Sequence, residues 1–265
     1  MAAQPQVAKD PNRIWILYSQ NPQRLSPLHL LSLALLLQVV LGENSYLSHI
    51  CSNTDNYTSN GTYETNLNNL MTSLSYSVPR SRGFGYVSVG KDPDRVYGLG
   101  LCRGDVSSAD CKTCIADAKT QILKSCSNEK EAIIWYDYCL LKYSNSDFFG
   151  KIDTKYKVYM YNTQNVSDPA SFNYKVRELL NEVATDAYDD HNSKMYATGE
   201  LVIDGSEKLY GLAQCTRDLS RANCKECLDD AISDLPSCCD GKQGGRVLGG
   251  SCNIRYELYS FVNSN

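Results

Sequence analysis

Four stretches of the chain carry apolar residues at the three- and four-residue spacing of an amphipathic helix. Two of them are rich in large aliphatic residues: Leu67, Leu70, Met71 and Leu74, and later Phe172, Val176, Leu179, Leu180 and Val183. The other two contain cysteines: Cys111, Cys114, Ile115, Ala118 and Ile122, and later Cys224, Cys227, Leu228, Ala231, Ile232 and Leu235. We expect Ser107 or Ser108, and Ser220, to cap the cysteine-containing helices.

Segments rich in β-branched residues and tyrosine predict strands at 96–102, 132–143, 209–215 and 252–261. In the last of these, Cys252, Ile254, Tyr256 and Leu258 alternate with Asn253, Arg255, Glu257 and Tyr259. We expect the first set to be buried and the second, including Glu257, to face water. Together the elements predict an α+β fold class: two tandem small domains, each an antiparallel sheet packed against two helices.

The cysteines reveal an internal duplication. Adding 113 to the numbers of five cysteines gives another cysteine each time: Cys102, Cys111, Cys114, Cys126 and Cys139 become Cys215, Cys224, Cys227, Cys239 and Cys252. The flanking sequences agree, since VYGLGLC precedes the first set where LYGLAQC precedes the second. The repeat predicts one domain over residues 46–148 and another over 154–261, joined near Gly150–Lys157.

The first 42 residues have the pattern of a secretory signal peptide. Arg13 and Arg24 precede an uncharged apolar stretch, Leu28–Leu41, and small residues precede Glu43. That stretch would span only about 21 Å as a helix, short of the roughly 30 Å hydrocarbon layer. Since no later stretch approaches eighteen apolar residues, we expect a secreted, extracellular chain with no membrane span after cleavage.

Secretion changes how other motifs are interpreted. Asn56, Asn60 and Asn165 each begin an Asn-X-Ser/Thr sequence and are expected glycosylation sites. The CxxC pairs suggest redox or zinc chemistry in a reducing compartment, but in an oxidising one structural disulfides are favoured, so we expect no metal and no cofactor. The formal net charge of −4 disfavours nucleic-acid binding.

No catalytic motif stands out, and we expect the protein not to be an enzyme. His49 and His191, which follow the signal segment, lie in no nucleophile or metalloprotease motif. The glycine-rich segment GKQGGRVLGG lacks the spacing of a phosphate-binding loop and is interpreted as a tight connection between strands.

The repeated C-x8-C-x2-C pattern, with its flanking sequences, resembles the Gnk2-homologous family, also called DUF26 or stress-antifungal domains. The resemblance covers residues 46–261 and is typical of plant cysteine-rich repeat secretory proteins; LPSCCDGKQGGRVLGGSCNIRYELYSF is also similar to the extracellular half of cysteine-rich receptor-like kinases. It implies an apoplastic role in recognition during stress or defence.

The resemblance also implies a disulfide pattern. By position, the pairs are Cys51–Cys126, Cys102–Cys111, Cys114–Cys139, Cys215–Cys224 and Cys227–Cys252. Cys239 then lacks a counterpart of Cys51, because Tyr161 stands where the family has cysteine. A bond between Cys238 and Cys239 is one hypothesis; two free thiols or an intermolecular bridge are the alternatives.

Members of the resembled family are described as mannose-binding lectins, which implies a glycan site at Asn162, Arg246 and Glu257 in the second domain. Asn and Arg would donate to sugar hydroxyls and Glu would accept from them. An Arg246–Glu257 ion pair without ligand is the structural alternative.

The first domain has Ser52, Ile133 and Ser144 at the matching positions, so no such site is expected there. Its segment AIIWYDYCLLKY is either a buried strand or a protein interface. The second function considered is therefore a non-lectin module that binds apoplastic proteins or receptor-kinase ectodomains.

Overall fold

The computed structural model describes residues 7–9, 44–52, 55–189 and 194–263, and within these ranges the chain forms five helices and eleven strands. The helices are α1 (Thr62–Arg80), α2 (Ser108–Ser125), α3 (Pro169–Tyr188), α4 (Arg221–Ser233) and α5 (Leu235–Cys238). The strands are β1 (Val7–Lys9), β2 (Tyr46–Cys51), β3 (Phe84–Val89), β4 (Val96–Cys102), β5 (Ala132–Tyr136), β6 (Cys139–Ser144), β7 (Lys157–Tyr161), β8 (Tyr196–Asp204), β9 (Glu207–Cys215), β10 (Gly244–Gly249) and β11 (Cys252–Glu257). The predicted signal peptide, 1–42, lies outside the described residues except for β1, so it stays a prediction.

The strands form two sheets that follow the same plan. Sheet 1 has the order β2-β5-β6-β4-β3, and sheet 2 has the equivalent order β7-β10-β11-β9-β8 with β1 added beyond β7. All pairs are antiparallel except β1 with β7, which is parallel. The predicted α+β fold with two tandem domains is confirmed.

Two strand predictions were wrong in detail. The segment 132–143 is not one strand but the hairpin β5–β6, which turns at Asp137 and Tyr138. The glycine-rich segment is not merely a connection, because Gly244–Gly249 is strand β10 in the interior of sheet 2. A Cβ on Gly244 would meet the carboxylate of Glu257, which would have to shift.

Serine side chains begin both cysteine-containing helices. Ser107 Oγ accepts from the backbone N of Asp110 at 3.1 Å, and Ser220 Oγ accepts from that of Asn223 at 3.1 Å. Each bond satisfies a backbone donor that has no partner within the helix. Of the two serines considered in the first domain, Ser107 is the cap.

The disulfides tie each of these helices to two neighbouring strands. Cys102 of β4 and Cys139 of β6 lie directly opposite each other, and they bond to Cys111 and Cys114, which share one face of α2. A three-residue spacing on a helix therefore matches two adjacent strands. In the second domain the corresponding bonds are Cys215–Cys224 and Cys227–Cys252.

The remaining cysteines differ between the domains. Cys51–Cys126 joins the end of β2 to the end of α2. In the second domain Cys239, the counterpart of Cys126, bonds to its neighbour Cys238, and Tyr161 packs against the domain core at the end of β7. These are the pairs that the resemblance and the vicinal-bond hypothesis implied, and among the described cysteines none is free.

Three apolar clusters order the layers of the molecule. In each domain one cluster lies between the sheet and its helices, and the third cluster lies between the two sheets. Its buried members are Leu99, Leu101, Ile133, Trp135, Leu140, Tyr156, Val158 and Leu248. The sheets thus face each other through their helix-free sides, and the helices cover the outside.

The bonds Cys51–Cys126 and Cys102–Cys111 close loops of different length, with sequence separations of 75 and 9. Since the entropy removed from the unfolded chain grows with loop length, we expect replacement of Cys51 and Cys126 by alanine to cost about 4 kcal/mol and that of Cys102 and Cys111 about 2.5 kcal/mol. Guanidinium unfolding of the two double variants measures this order. Equal losses, or the reverse order, would contradict the entropic account.

Candidate functional site

The three residues implied for glycan binding lie on neighbouring strands of sheet 2. Gly244 pairs with Glu257 across β10 and β11, and the backbone N of Asn162, just after β7, donates to Gly244 O at 2.8 Å. Arg246 lies two residues further along β10 and therefore on the same face as Gly244. The strand pairing places Arg246 and Glu257 on the helix-free face of sheet 2, with the backbone of Asn162 beside Gly244.

That face does not meet water as expected. Arg246 is 8% exposed and Glu257 is 7% exposed. The alternation along β11 separates the helix side from the opposite side, but sheet 1 covers that opposite side. The expectation that Glu257 is exposed was wrong because the alternation carries no information about a neighbouring domain.

Arg246 is held by the first domain. Its Nη1 lies 2.6 Å from Oδ1 of Asp137, in the turn between β5 and β6. Glu257 Oε1 accepts from Arg255 Nε at 3.1 Å. The ion pair of Arg246 thus crosses the domain interface to Asp137, whereas the sequence had suggested Glu257 as its partner.

Asp137 also forms ion pairs with two further arginines. Arg255 Nη1 lies 3.1 Å from Oδ1 and Arg103 Nη1 lies 3.0 Å from Oδ2. Arg103 also binds Asp105, with Nε–Oδ1 and Nη2–Oδ2 distances of 2.7 and 2.9 Å. We call Arg103, Asp105, Asp137, Arg246, Arg255 and Glu257 the interdomain ion cluster; its three guanidinium groups are balanced by three carboxylates.

The pKa values show how strongly the cluster is coupled. Burial alone would raise the pKa of Asp137, but Arg246, Arg255 and Arg103 outweigh burial and hold it at about 2. Burial lowers the pKa of Arg246, against the opposing effect of Asp137. Burial also disfavours the charged form of Arg255, but its carboxylate partners Glu257 and Asp137 raise its pKa overall.

Two neutral hydrogen bonds and one further ion pair join the domains around the interdomain ion cluster. Trp135 Nε1 donates to Gly249 O at 3.0 Å, and Gln214 Nε2 donates to Cys102 O at 3.0 Å. Lys142 pairs with Asp153 of the connection between the domains. The segment AIIWYDYCLLKY therefore contains a buried hairpin that is also an interface, but with the second domain of the same chain.

The other positions considered for glycan binding, in both domains, lie in unrelated local environments. Asn162 Oδ1 accepts from the backbone N of Gln164 at 3.0 Å, which closes a local turn. In the first domain Ile133, the counterpart of Arg246, is fully buried in the apolar cluster between the sheets. Ser144 is buried as well, and Ser52 is half-buried.

Sequence reasoning missed Asp137, Arg103 and Asp105, although one signal was present. Asp137 is the single charged residue between Ala132 and Leu141 in an otherwise apolar and aromatic stretch. A buried carboxylate needs compensating partners, so its presence there indicates cationic groups nearby. The identity of those partners depends on how the sheets pack.

Three further features concern metal binding, glycosylation and membrane insertion. Among the described residues, one group has metal-ligand types close together, His49 with Cys51 and Cys126, but its two sulfurs are bonded to each other. Asn56, Asn60 and Asn165 are all exposed. In the part of the chain that the structure describes, no helix is both long and apolar enough to cross a membrane.

Asp137→Asn tests the cluster through pH. The folded-state pKa of about 2 lies below the ordinary 3.8, so the carboxylate stabilises the fold above about pH 4 and this stability is lost as the pH falls toward 2. We expect the wild-type protein to lose about 2 kcal/mol of unfolding free energy there that the variant does not lose. At neutral pH the variant is less stable by about 3 kcal/mol, since buried guanidinium groups lose their partner.

Denaturant unfolding at a series of pH values measures both effects. Asp229→Asn is the matched control, because Asp229 forms an exposed pair with Lys225 on α4. Parallel pH curves for the wild-type protein and Asp137→Asn would show that Asp137 is not coupled to the arginines.

Comparison with known proteins identifies the family. Residues 50–146 and 160–259 each match the family described as salt stress response/antifungal. An antimicrobial ginkbilobin-2-like protein of Castanea crenata is 59% identical over 82% of this chain and 89% of its own length. Cysteine-rich repeat secretory protein 38 of Arabidopsis thaliana is 53% identical over 83% of this chain and 87% of its own length.

Solved structures agree with the fold. The tandem DUF26 ectodomain of the Arabidopsis thaliana cysteine-rich receptor-like protein PDLP5 aligns with a TM-score of 0.68 and 31% identity, covering 82% of this chain and all of that one. The corresponding ectodomain of PDLP8 aligns with a TM-score of 0.68 and 28% identity over the same shares. With both of its repeats matched, the chain belongs to the salt stress response/antifungal (DUF26) family of secreted cysteine-rich repeat proteins.

Proposed function

We propose that the protein is a non-enzymatic recognition protein of the plant apoplast, active in stress or defence, and that it recognises protein partners rather than mannose. The observation that carries this proposal is the burial of Arg246 and Glu257 in the interdomain ion cluster. The name of the antimicrobial relative supports a role in defence, and the structural neighbours support recognition at the cell surface.

A mannose ligand would have to compete with this cluster. To reach Arg246, the sugar must separate the sheets and remove Asp137, which leaves buried charges unpaired at a cost of about 3–5 kcal/mol. Such a penalty lowers the apparent affinity by roughly two to four orders of magnitude. A weak lectin site built on these residues would be closed in the tandem arrangement.

Beyond the contact with sheet 2, Tyr86 and Tyr97 lie on the helix-free face of sheet 1, and Phe149 from the segment after β6 packs against both rings. Tyr86 on the edge strand β3 is 54% exposed, and its ring centroid lies 4.9 Å from that of Phe149. Tyr97 on β4 lies 5.6 Å from Phe149 in an edge arrangement. We call Tyr86, Tyr97 and Phe149 the aromatic strip.

The aromatic strip has the chemistry of a protein contact. Tyrosine and phenylalanine are enriched at interfaces because they bury a large area and lose few rotamers. Arg95 reaches the same surface, with Nη1 3.5 Å from the hydroxyl oxygen of Tyr97, so a polar group borders the rings. We propose that an extracellular receptor-like protein or another apoplastic protein binds here.

Mannan retention and calorimetry on the secreted full chain test the lectin alternative. We expect no mannose response, because Arg246 and Glu257 are engaged within the protein. Arg246→Ala and Glu257→Ala should lower the unfolding temperature without changing saccharide binding. A mannose response that both substitutions abolish, while the variants remain folded, would establish the lectin function instead.

Tyr86→Ala tests the aromatic strip. Measured against a panel of plant receptor-like ectodomains and apoplastic proteins, we expect the variant to bind about tenfold or more weakly, as for a central aromatic contact. Tyr174→Ala is the matched control, since Tyr174 is 71% exposed on α3, away from the strip. Equal affinities for the two variants, or no binding to any member of the panel, would contradict the proposed surface.

A further inference from the structure

A cleft lies in the second domain, on the helix side of sheet 2 and apart from the interdomain ion cluster. Its volume is about 530 Å³, within the range of small-molecule sites. The start of α3, the tip of the β8–β9 hairpin and the segment after β11 enclose it. Nothing in the function proposed above uses this cleft.

One of the three glycosylation sequences forms part of the wall. Asn165 and Ser167, the first and third residues of Asn-Val-Ser, both line the cleft, whereas Asn56 and Asn60 do not. Asn165 is exposed, and its Oδ1 accepts from Lys242 Nζ at 2.7 Å. The first sugar of a glycan attached to Nδ2 of Asn165 would therefore lie at the edge of the cleft.

The backbone of Asn165 is fixed in place. It bridges to Lys242 in antiparallel fashion, and the next residue, Val166, donates its N–H to Gly241 O at 2.9 Å. Gln243 Nε2 donates to Asn165 O at 3.3 Å. The direction in which a glycan leaves the chain is thus set by hydrogen bonds on both sides of the attachment point.

The remaining lining matches a pyranose. Phe172 and Leu258 provide apolar surface for the hydrocarbon side of a sugar ring. Glu207 supplies a carboxylate that accepts from hydroxyl groups, and Lys175, whose Nζ donates to Ile203 O, supplies further donors. The lining thus combines apolar surface with charged donors and acceptors, and a pyranose ring presents both kinds of surface.

We propose that the first sugars of an N-linked glycan on Asn165 occupy this cleft and hold α3, the β8–β9 hairpin and the segment after β11 together. The glycan is joined when Nδ2 of Asn165 forms a bond to the anomeric carbon of a lipid-linked oligosaccharide. The bond from that carbon to the lipid pyrophosphate breaks, the pyrophosphate leaves with the electron pair, and Nδ2 loses a proton. No redox change accompanies this substitution.

Tethering decides between this occupant and a free ligand. A group attached at the edge of its own site has an effective concentration on the order of millimolar. A free saccharide or peptide at lower concentration would have to displace it. The tethered glycan is therefore the occupant that the position of Asn165 favours.

The rate at which a peptide N-glycosidase removes each glycan tests the proposal on protein secreted by plant cells. The enzyme needs an accessible stem, so only the fraction of molecules with the glycan out of the cleft reacts. Mass mapping of the Asn-to-Asp conversion, with each native rate divided by the rate after denaturation, should show Asn165 reacting about tenfold or more slowly than Asn60.

Variants separate seating in the cleft from general protection. Glu207→Ala should raise the native rate at Asn165 several-fold and leave Asn60 unchanged. Glu200→Ala is the matched control, because Glu200 lies on the same hairpin and pairs with Lys208, outside the cleft. Both residues are exposed, so both variants are expected to fold.

Three results overturn the inference: an unmodified Asn165 beside a modified Asn60, equal normalised rates at the two sites, or equal effects of Glu207→Ala and Glu200→Ala. The second result would leave the cleft open for a free ligand. Absence of glycan from Asn56, Asn60 and Asn165 alike would count against the proposed passage through the secretory pathway as well, which distinguishes the two failures.

Discussion

The packing of the two helix-free sheet faces depends on how one half-buried carboxylate is compensated. Asp137 reaches out of the first domain and accepts from Arg246 and Arg255 of the second, while Arg103 of its own domain binds its other oxygen. None of these groups is stable alone in a buried interface. The apolar cluster between the sheets buries hydrophobic surface. The interdomain ion cluster favours the relative placement of the domains in which each of its charged side chains has an oppositely charged partner.

The duplication shows how this interface became asymmetric. Positions related by the repeat differ where the sheets meet: Asp137 corresponds to Gly250, and Arg246 corresponds to Ile133. A Cβ on Gly250 would lie 2.2 Å from Asp153 Oδ2, the carboxylate that pairs with Lys142. The first copy thus supplies Asp137 and Arg103, and the second supplies Arg246 and Arg255, which two identical faces could not do around a single carboxylate.

The interior of each domain was predictable from sequence, and the relation between the domains was not. Helical stripes and cysteine spacing act over a few residues, so the four long helices and the serine caps of two of them could be read directly. Strands β2, β3, β7 and β8 were not predicted. Strand β10 was hidden because its glycines, which are typical of turns, lie where a Cβ would meet the side chains of Glu257 and Tyr256 on the neighbouring strand. That contact is tertiary, so no local pattern reveals it. Likewise the resemblance pointed to Arg246 and Glu257, but their burial depends on a domain contact that no local pattern encodes.

The vicinal bond follows from the same divergence between copies. In the first domain Cys126 reaches back to Cys51 at the end of β2 and ties the edge strand to the helix. In the second domain, three contacts hold the equivalent strand β7. Val158 packs between the sheets, and Tyr161 packs against the domain core. Lys157 pairs with Asp230 and Asp234 of the helix side. Contacts with the helix and with the neighbouring sheet restrain β7 without a covalent tie, and Cys239 pairs with Cys238.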